Sequence, residues 1–227
     1  MSAKRHRKKS RKLWVLILLC IIVGGAYYIY SHRTQSLKYF ETQFNPSGLE
    51  QVEINYGKSI DLAAGTFDLP PHFLKALCML ECSGRKIVKP RFEKHVYKRL
   101  IEVKEGKISN YEHVTPSMLS DATDEALRNL ASSWGPFQLM GYKCLLLNIK
   151  IADIRGDDGV YWGVKWINET YGKMLRKGRF KDAFHIHNTG RPHPIGAPRT
   201  YDPNYVTNGL KYMEYFNKPQ IMQPSKD

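Results

Sequence analysis

An acidic side chain ends an apolar helical stripe in the segment FLKALCMLECSGR, residues 73–85. Four residues of the segment are spaced three and four apart: Leu74, Leu77, Cys78 and Glu81. A helix therefore places them on one face. A carboxyl group on a core-facing stripe must pair with a cation or keep its proton through a raised pKa. A glutamic acid with a raised pKa can protonate the leaving oxygen of a glycosidic bond. In the alternative interpretation, the last turn of the helix frays and Glu81 reaches water.

The surrounding sequence predicts the helices that would hold this acid. Asp68 or Leu69 would cap the helix of Glu81, Pro70 and Pro71 suit its first turn, and Gly84 suits a left-handed position after its end. Further helical patterns lie within residues 120–133, 141–154, 157–178 and 201–216. Strand patterns are few and short. The sequence therefore predicts a mainly α-helical domain with irregular loops.

The N-terminus has the pattern of a membrane anchor. Residues 1–12 contain seven Lys or Arg and no acid, and residues 13–30 carry no charge. As a helix, the uncharged segment spans roughly 27 Å, close to the thickness of the hydrocarbon layer. The basic flank predicts a cytoplasmic tail, with the rest of the chain in the periplasm or otherwise outside the inner (cytoplasmic) membrane. A cleaved signal peptide is the alternative, because Gly24, Gly25 and Ala26 are small residues that a peptidase accepts.

The 227 residues divide into five predicted parts. They are a basic cytoplasmic tail at 1–12, a single-pass transmembrane anchor at 13–30, a stalk or linker at 31–60, a folded catalytic domain at 61–218 and a C-terminal tail at 219–227. The folded part is long enough for a core that needs no disulfide.

The charge of the exported part is moderately basic. The formal net charge is +14, from 35 Lys and Arg against 21 Asp and Glu. Setting aside the seven cations of the tail leaves an excess of about seven positive charges. Such an excess suits an anionic polymer, and a location outside the membrane makes cell-wall glycan a better candidate than nucleic acid. We predict no nucleic-acid partner.

The cysteines allow at most one internal disulfide outside the anchor. Cys20 lies in the anchor, which leaves Cys78, Cys82 and Cys144. Cys78 and Cys82, four apart on one helix, are poorly placed to pair with each other. Cys144 could pair with either of them, or all three could be buried free thiols.

Histidines and tryptophans are two further groups that could bind a metal or a sugar. His185 and His187 would share one face of an extended segment with His193 nearby, so a zinc site is conceivable. No HExxH motif accompanies them, and the sequence predicts neither a metal nor another cofactor. Trp162 and Trp166 could stack on sugar rings, although their helical spacing is more typical of a core.

Four segments and a Tyr-Val pair after them, in this order, carry a family resemblance. Glu81-Cys82-Ser83-Gly84 is followed by VKPRFEKHVYKRL at 88–100 and ASSWGPFQLMG at 131–141. HIHNTGRP at 185–192 comes next, with Tyr205-Val206 after it. Together they resemble the lysozyme-like superfamily of lytic transglycosylases and goose-type lysozymes, and most closely its N-acetylmuramidase family. The likeness runs from about residue 66 to 215, and the third segment is its most specific part.

The chain departs from the family pattern at two positions. Cys82 stands where the Glu-Ser-x-Gly that ends the catalytic helix has its Ser, and His187 stands where a Tyr is usual before Asn-Gly. The resemblance implies a lysozyme-like fold, α+β with few short strands, and a site for a glycan strand.

The resemblance also implies roles for individual residues. Glu81 would be the general acid that protonates the oxygen between N-acetylmuramic acid and N-acetylglucosamine. The implied substrate-binding residues are Ser83, Gln138, His187, Asn188 and Tyr205. Gln138 could hold an acetamido or hydroxyl group, or satisfy the backbone of a tight turn. Asn188 could bind sugar or belong to an ordinary turn. Tyr205 could orient Glu81 through its hydroxyl, or be a buried aromatic side chain.

A second carboxylate would decide the reaction. Glu93, in the Phe-Glu-x-His context, is the best candidate for a group that positions water or stabilises the oxocarbenium ion. Alternatively, Glu93 forms an ion pair with His95 or with a neighbouring Lys or Arg. Without a second acid, a lytic transglycosylase lets the C6 hydroxyl of the muramic acid attack, which leaves a 1,6-anhydro end.

The sequence thus predicts a membrane-anchored enzyme that cleaves peptidoglycan, either a muramidase or a lytic transglycosylase. A tethered enzyme would open the wall locally, as in the assembly of an envelope-spanning machine, phage entry or wall remodelling. The alternative is a non-catalytic wall-binding or scaffold protein that keeps the fold.

Overall fold

The computed structural model of the chain describes residues 20–28, 30, 47–196 and 199–218. Residues 20–28 are helical. No helix among the described residues is both long enough and apolar enough to cross a membrane.

Several predicted segments fall outside this description. The anchor predicted at 13–30 is described only in part, and the tails predicted at 1–12 and 219–227 are not described. Those assignments stay predictions. The chain divides into two compact units, Met1–Ser47 and Gly48–Asp227, and the second contains the candidate site.

The second unit is mainly helical, which confirms the predicted class of secondary structure. Its α-helices, α1 to α11, are Gly48–Val52, Lys58–Phe67, Pro71–Cys82, Lys94–Lys104, Asp124–Leu130, Lys143–Leu147, Ile151–Arg155, Gly159–Ile167, Lys173–Arg176, Phe180–Thr189 and Tyr205–Asn217. Two π-helical turns, Glu53–Gly57 and Asn168–Gly172, join α1 to α2 and α8 to α9. A short 3-10 helix covers Pro116–Leu119.

One small antiparallel sheet accompanies the helices. Its strands, in the order β1-β2-β3, are Arg91–Phe92, Ser132–Trp134 and Leu139–Met140. Ser133 pairs with Arg91 on one side and with Met140 on the other. This register places the segment around Glu93 beside the ASSWGPFQLMG hairpin.

Helix α3 forms as its apolar spacing predicts. Leu74, Leu77 and Cys78 are fully buried, and α3 packs against α11 along its length. Its N-cap is Pro70, not Asp68 or Leu69 as predicted, because Asp68 adopts a left-handed conformation (φ 51°) that ends the preceding helix.

The folded unit begins earlier than the predicted boundary at residue 61. The chain is helical from Gly48, inside the segment 31–60 predicted as a linker, and Val52 and Ile60 are fully buried in the main core. The part of the predicted linker between 31 and 46 lies outside the described residues.

Two other local predictions differ from the structure. The helix predicted within 141–154 is two short helices, because Asn148 takes a left-handed conformation (φ 54°) after Leu147 and ends α6. His185 and His187 lie on α10 rather than in an extended segment, so they do not share a face.

The main core joins α3 to the helices that complete the site. Phe73 of α3 and Phe184 of α10 are fully buried, with ring centroids 4.4 Å apart. A second cluster packs α4 against α5, and a third surrounds Trp134 and Cys144. The site therefore rests on helices that pack through a continuous apolar interior.

Candidate active site

Glu81 lies in the last turn of α3, sheltered but still open to solvent. Its side chain is 15% exposed. The Tyr205 hydroxyl, at the start of α11, donates a hydrogen bond to Glu81 Oε1. His187 Nε2, on α10, lies 3.8 Å from the same oxygen. Three helices thus bring together three residues that the sequence predicted for the site.

The Glu81 carboxyl keeps its proton at higher pH than an ordinary glutamic acid. Burial raises its pKa from 4.5 to about 7, because the charged form loses hydration. The hydrogen bond from Tyr205 and the charges of Arg91 and Lys143 favour the carboxylate and oppose this rise in pKa. Near neutral pH the group is therefore divided between acid and base, as an acid that gives and regains a proton requires.

His187 is a neutral structural partner and not the cation of an ion pair. Its Nε2 lies 3.1 Å from the carbonyl oxygen of Phe137, and its Nδ1 lies 2.7 Å from the Tyr171 hydroxyl. Because the carbonyl only accepts, Nε2–H donates to it and Nδ1 accepts from Tyr171. Burial, with the nearby charge of Lys143, lowers the pKa of His187 to about 3. The imidazole therefore adds no charge beside Glu81.

The position of Tyr205 depends on a close approach between α10 and α11. A Cβ at Gly209 would lie 2.8 Å from atoms of the Phe184 ring, so only glycine allows this approach. Tyr205 is almost fully buried, and burial beside Glu81 raises the pKa of its hydroxyl well above the usual value. The hydroxyl keeps its proton and can donate to Glu81.

Residues of the segment 31–60, predicted as a linker, hold the turn after Glu81. Gly84 has a left-handed conformation (φ 70°), and a Cβ there would lie 2.5 Å from the backbone nitrogen of Val52. Asn55 Nδ2 donates to the Gly84 carbonyl at 2.8 Å, and the Tyr56 hydroxyl donates to Arg85 O at 2.7 Å. These contacts hold the end of α3, and therefore Glu81, against the first helices.

Ser83 caps α3 through its backbone. It has a left-handed conformation (φ 54°), and its N–H donates to the carbonyl of Met79 at 3.0 Å. The half-buried side chain follows directly after the Glu81–Cys82 pair. Its predicted role in binding substrate stays a prediction.

Gln138 uses most of its amide within the β2–β3 hairpin. Its Oε1 accepts from the Ser133 hydroxyl at 2.7 Å, and its Nε2 donates to the Gly135 carbonyl at 3.2 Å. Its own backbone is left-handed, with φ 46°. Gln138 therefore stabilises a tight turn, which was the alternative to binding a sugar. One amide hydrogen remains for a ligand, because an NH₂ group has two.

Asn188 follows His187 on α10 and is exposed. Its side chain makes no hydrogen bond to any residue in the described part of the chain, so its amide is available for a ligand. Asn188 and His187 are consecutive on a helix, so their side chains point in different directions. Only His187 reaches Glu81.

Glu93 takes part in the ion pair that the sequence analysis left open. Its Oε1 lies 2.8 Å from Arg91 Nε, and its Oε2 lies 3.6 Å from His95 Nδ1. Its side chain is 24% exposed at the N-terminus of α4. The Arg91 charge also favours the carboxylate form of Glu81.

Lys143 is a site residue that sequence reasoning missed. It is half-buried at the start of α6, and its ammonium lies 4.8 Å from the centroid of the Trp166 ring. Burial lowers the pKa of Lys143 to about 8, while the charges of Glu112 and Glu81 act in the opposite direction. The only signal in the sequence was its place two residues after the LMG that ends the third family segment.

All four cysteines are free thiols. Cys78 Sγ lies 3.6 Å from Cys82 Sγ, much longer than a disulfide bond, and the Cys82 thiol donates to the carbonyl of Cys78. Cys144 belongs to the core cluster around Trp134, apart from the cluster that contains the other two buried thiols. The disulfide considered for Cys144 is not formed.

The described residues contain no group of three or more His, Cys, Asp or Glu that could hold a metal ion. A cavity of about 490 Å³ lies between the 3-10 helix, α5 and α6, with Asp121, Asn129 and Lys150 in its lining. Glu81 does not line it, so this cavity is separate from the candidate active site.

Comparisons with known proteins add no relative: no family model, no curated protein and no solved structure matches the chain.

Proposed function

We propose that this protein cleaves the β-1,4 bond between N-acetylmuramic acid and N-acetylglucosamine in peptidoglycan, with Glu81 as the general acid. The observation that carries the proposal is the state of Glu81: a sheltered carboxyl, bonded by Tyr205, whose pKa is about 7. The resemblance of four sequence segments to the lysozyme-like superfamily supports the choice of substrate and a lysozyme-like fold.

The reaction begins with proton transfer from Glu81 to the glycosidic oxygen. The bond between that oxygen and C1 of the muramic acid breaks, and its electron pair stays on the oxygen of the departing sugar. The positive charge that develops on C1 lies near a Glu81 that has just become a carboxylate. The Tyr205 hydroxyl stabilises this carboxylate, because its hydrogen bond favours the charged form.

A nucleophile then attacks C1 and returns its proton to Glu81. Water as the nucleophile gives a reducing end, whereas the C6 hydroxyl of the same muramic acid gives a 1,6-anhydro end. Glu93 is the proposed second carboxylate of the hydrolytic route. Its ion pair with Arg91 at 2.8 Å holds the carboxyl group in place, so it could orient the attacking water.

The proposed setting follows from the N-terminal sequence. An uncleaved anchor at 13–30 would tether the enzyme to the inner membrane as a single-pass protein, with its catalytic part on the periplasmic or outer side. Tethering would confine wall cleavage to the surroundings of the anchor. An envelope-spanning machine is a proposed setting of this kind.

The test is the release of soluble muropeptides from purified peptidoglycan by the full-length protein in detergent. Glu81→Gln should abolish release, because the amide has no proton to give at any working pH. Glu214→Gln, an exposed change on α11, is the matched control and should release fragments at the wild-type rate. Mass spectrometry of the fragments separates reducing from anhydro ends.

Two outcomes would remove the proposal. Equal release by the wild type and Glu81→Gln would show that Glu81 donates no proton. No release by either protein, together with binding to sedimented peptidoglycan, would favour the non-catalytic wall-binding alternative.

A further inference from the structure

An unpaired cation borders the Glu81 site. The Lys143 ammonium makes no hydrogen bond and has no carboxylate oxygen within 4 Å among the described residues, although the side chain is half-buried. The contact that it does make is with the face of Trp166, at 4.8 Å from the ring centroid. A half-buried ammonium without an anion is unfavourable in a folded protein.

The charge of Lys143 acts on two residues of the site. It favours the carboxylate form of Glu81, and it lowers the pKa of His187. Lys143 begins α6 three residues after β3, and the Phe137 carbonyl of the same β2–β3 hairpin accepts a hydrogen bond from His187, so the hairpin links Lys143 to the site. The lowered pKa of Lys143, about 8, shows that Glu81 and Glu112 do not compensate for its burial.

The other cation near Glu81 is already neutralised. Arg91 is exposed and pairs with Glu93 at 2.8 Å. Of these two cations, Lys143 is therefore the one that lacks an anionic partner. Trp166 packs against the core cluster around Trp134, and the ammonium lies over its ring, so the indole holds the ammonium in place.

We infer that Lys143 and Trp166 form a specificity subsite for a sugar that carries a carboxylate, in which the ammonium binds the carboxylate and the indole beneath it holds the ammonium in place. This inference rests on the proposed function and names the feature of the glycan that the site selects. In peptidoglycan the carboxylate has two sources: the lactyl group of a bare muramic acid, and the peptide stem that is attached to that group. A chitin oligosaccharide has neither.

The experiment measures the binding of three tetrasaccharides by the full-length Glu81→Gln protein in detergent, which should bind without cleaving. The probes are a bare muramic acid–glucosamine repeat, the same repeat with tetrapeptide stems, and chitotetraose. Lys143→Met should weaken binding of one or both carboxylate probes by about tenfold or more and leave chitotetraose unchanged, because a hydrogen bond to a charged group is lost. Whichever carboxylate probe weakens identifies the source.

Three further variants separate this subsite from a structural role. Lys143→Arg should restore binding of the carboxylate probe, because it keeps the charge. Trp166→Leu should weaken the carboxylate probes and leave chitotetraose unchanged, because the indole acts only through the ammonium. Lys165→Met is the matched control and should leave the binding of all three probes unchanged. Lys165 also lies over an indole, that of Trp162, at 5.2 Å from the ring centroid, but it pairs with Glu169 at 3.8 Å.

Two results would overturn the inference: an unchanged affinity of Lys143→Met for both carboxylate probes, or an equal loss for chitotetraose. The proposed function is tested separately. Muropeptide release that depends on Glu81, with no effect of Lys143→Met on binding, would refute the subsite alone. Binding that depends on Lys143, in a wild-type protein that releases no fragments, would refute cleavage alone.

Discussion

Replacing Glu81 by Gln should make the folded protein more stable than the wild type at pH 8, although it removes the proposed acid. Burial raises the pKa of Glu81 from 4.5 to about 7. The stability that the protonated carboxyl contributes is complete below pH 4.5 and is lost as the pH rises through about 7. Gln stays neutral throughout, so it escapes this loss.

The magnitude follows from the size of the pKa change. One pKa unit corresponds to about 1.4 kcal/mol, so a rise from 4.5 to about 7 corresponds to roughly 3 kcal/mol. This is an upper bound, because the side chain is 15% exposed and its charge is partly hydrated. For a domain of this size, it corresponds to a Tm difference of several degrees.

Urea denaturation of the wild type and Glu81→Gln at pH 5 and pH 8, followed by tryptophan fluorescence, measures this difference. The difference in the free energy of unfolding, Glu81→Gln minus wild type, should be about 2–3 kcal/mol larger at pH 8 than at pH 5. The comparison cancels the other titrating groups, and the exposed Glu214→Gln should show no such increase. A relative stability of Glu81→Gln that is the same at both pH values would refute a raised pKa at Glu81.

Two further changes act on the surroundings of Glu81. Muropeptide release should fall as the pH rises through about 7, because Glu81 loses its proton. Tyr205→Phe should shift the midpoint of this fall upward by about one pH unit, because it removes a hydrogen bond that favours the carboxylate. A midpoint that is unchanged or lower would contradict that role of Tyr205. Gly84→Ala should lower the free energy of unfolding by at least about 2 kcal/mol more than Gly106→Ala in urea denaturation. Both glycines have φ 70°, but only at Gly84 does the added Cβ meet backbone, at 2.5 Å from Val52 N; equal losses would show that α1 does not hold the turn.

The periodicity of the sequence was sufficient to predict α3 and the sheltered place of its acid. The spacing of Leu74, Leu77 and Glu81 is local information, and the helix that forms has the predicted face buried. Tyr205 lies in the site, where the resemblance placed it. Its hydrogen bond to Glu81, across 124 residues of sequence, depends on the packing of α3 against α11.

The segment from Gly48 to residue 60 could not be recognised in the same way. Val52 and Ile60, both fully buried, have the spacing of one helical face, but the apolar Ile54 between them is exposed and the π-helical turn Glu53–Gly57 interrupts the α-helix. The segment is also largely polar. Its contribution to the site, through Asn55 and Gly84, is visible only in three dimensions.

Lys143 and Glu93 show a second limit of sequence reasoning. The partner of Lys143 is Trp166, on a different helix, and no local pattern predicts that contact. For Glu93, the sequence left the ion pair open, because that contact depends on where the Arg91 side chain lies. The surroundings of a charged side chain are a tertiary property.

The most direct test of a proton-donating Glu81 is the pH at which its carboxyl group titrates. Carbon-13 labelling of the glutamate side chains, with Glu81→Gln to assign the signal, gives this value by NMR in the folded protein. We predict a midpoint near pH 7. A midpoint near 4.5 would mean that Glu81 is an ordinary carboxylate at neutral pH, which contradicts its role as the acid.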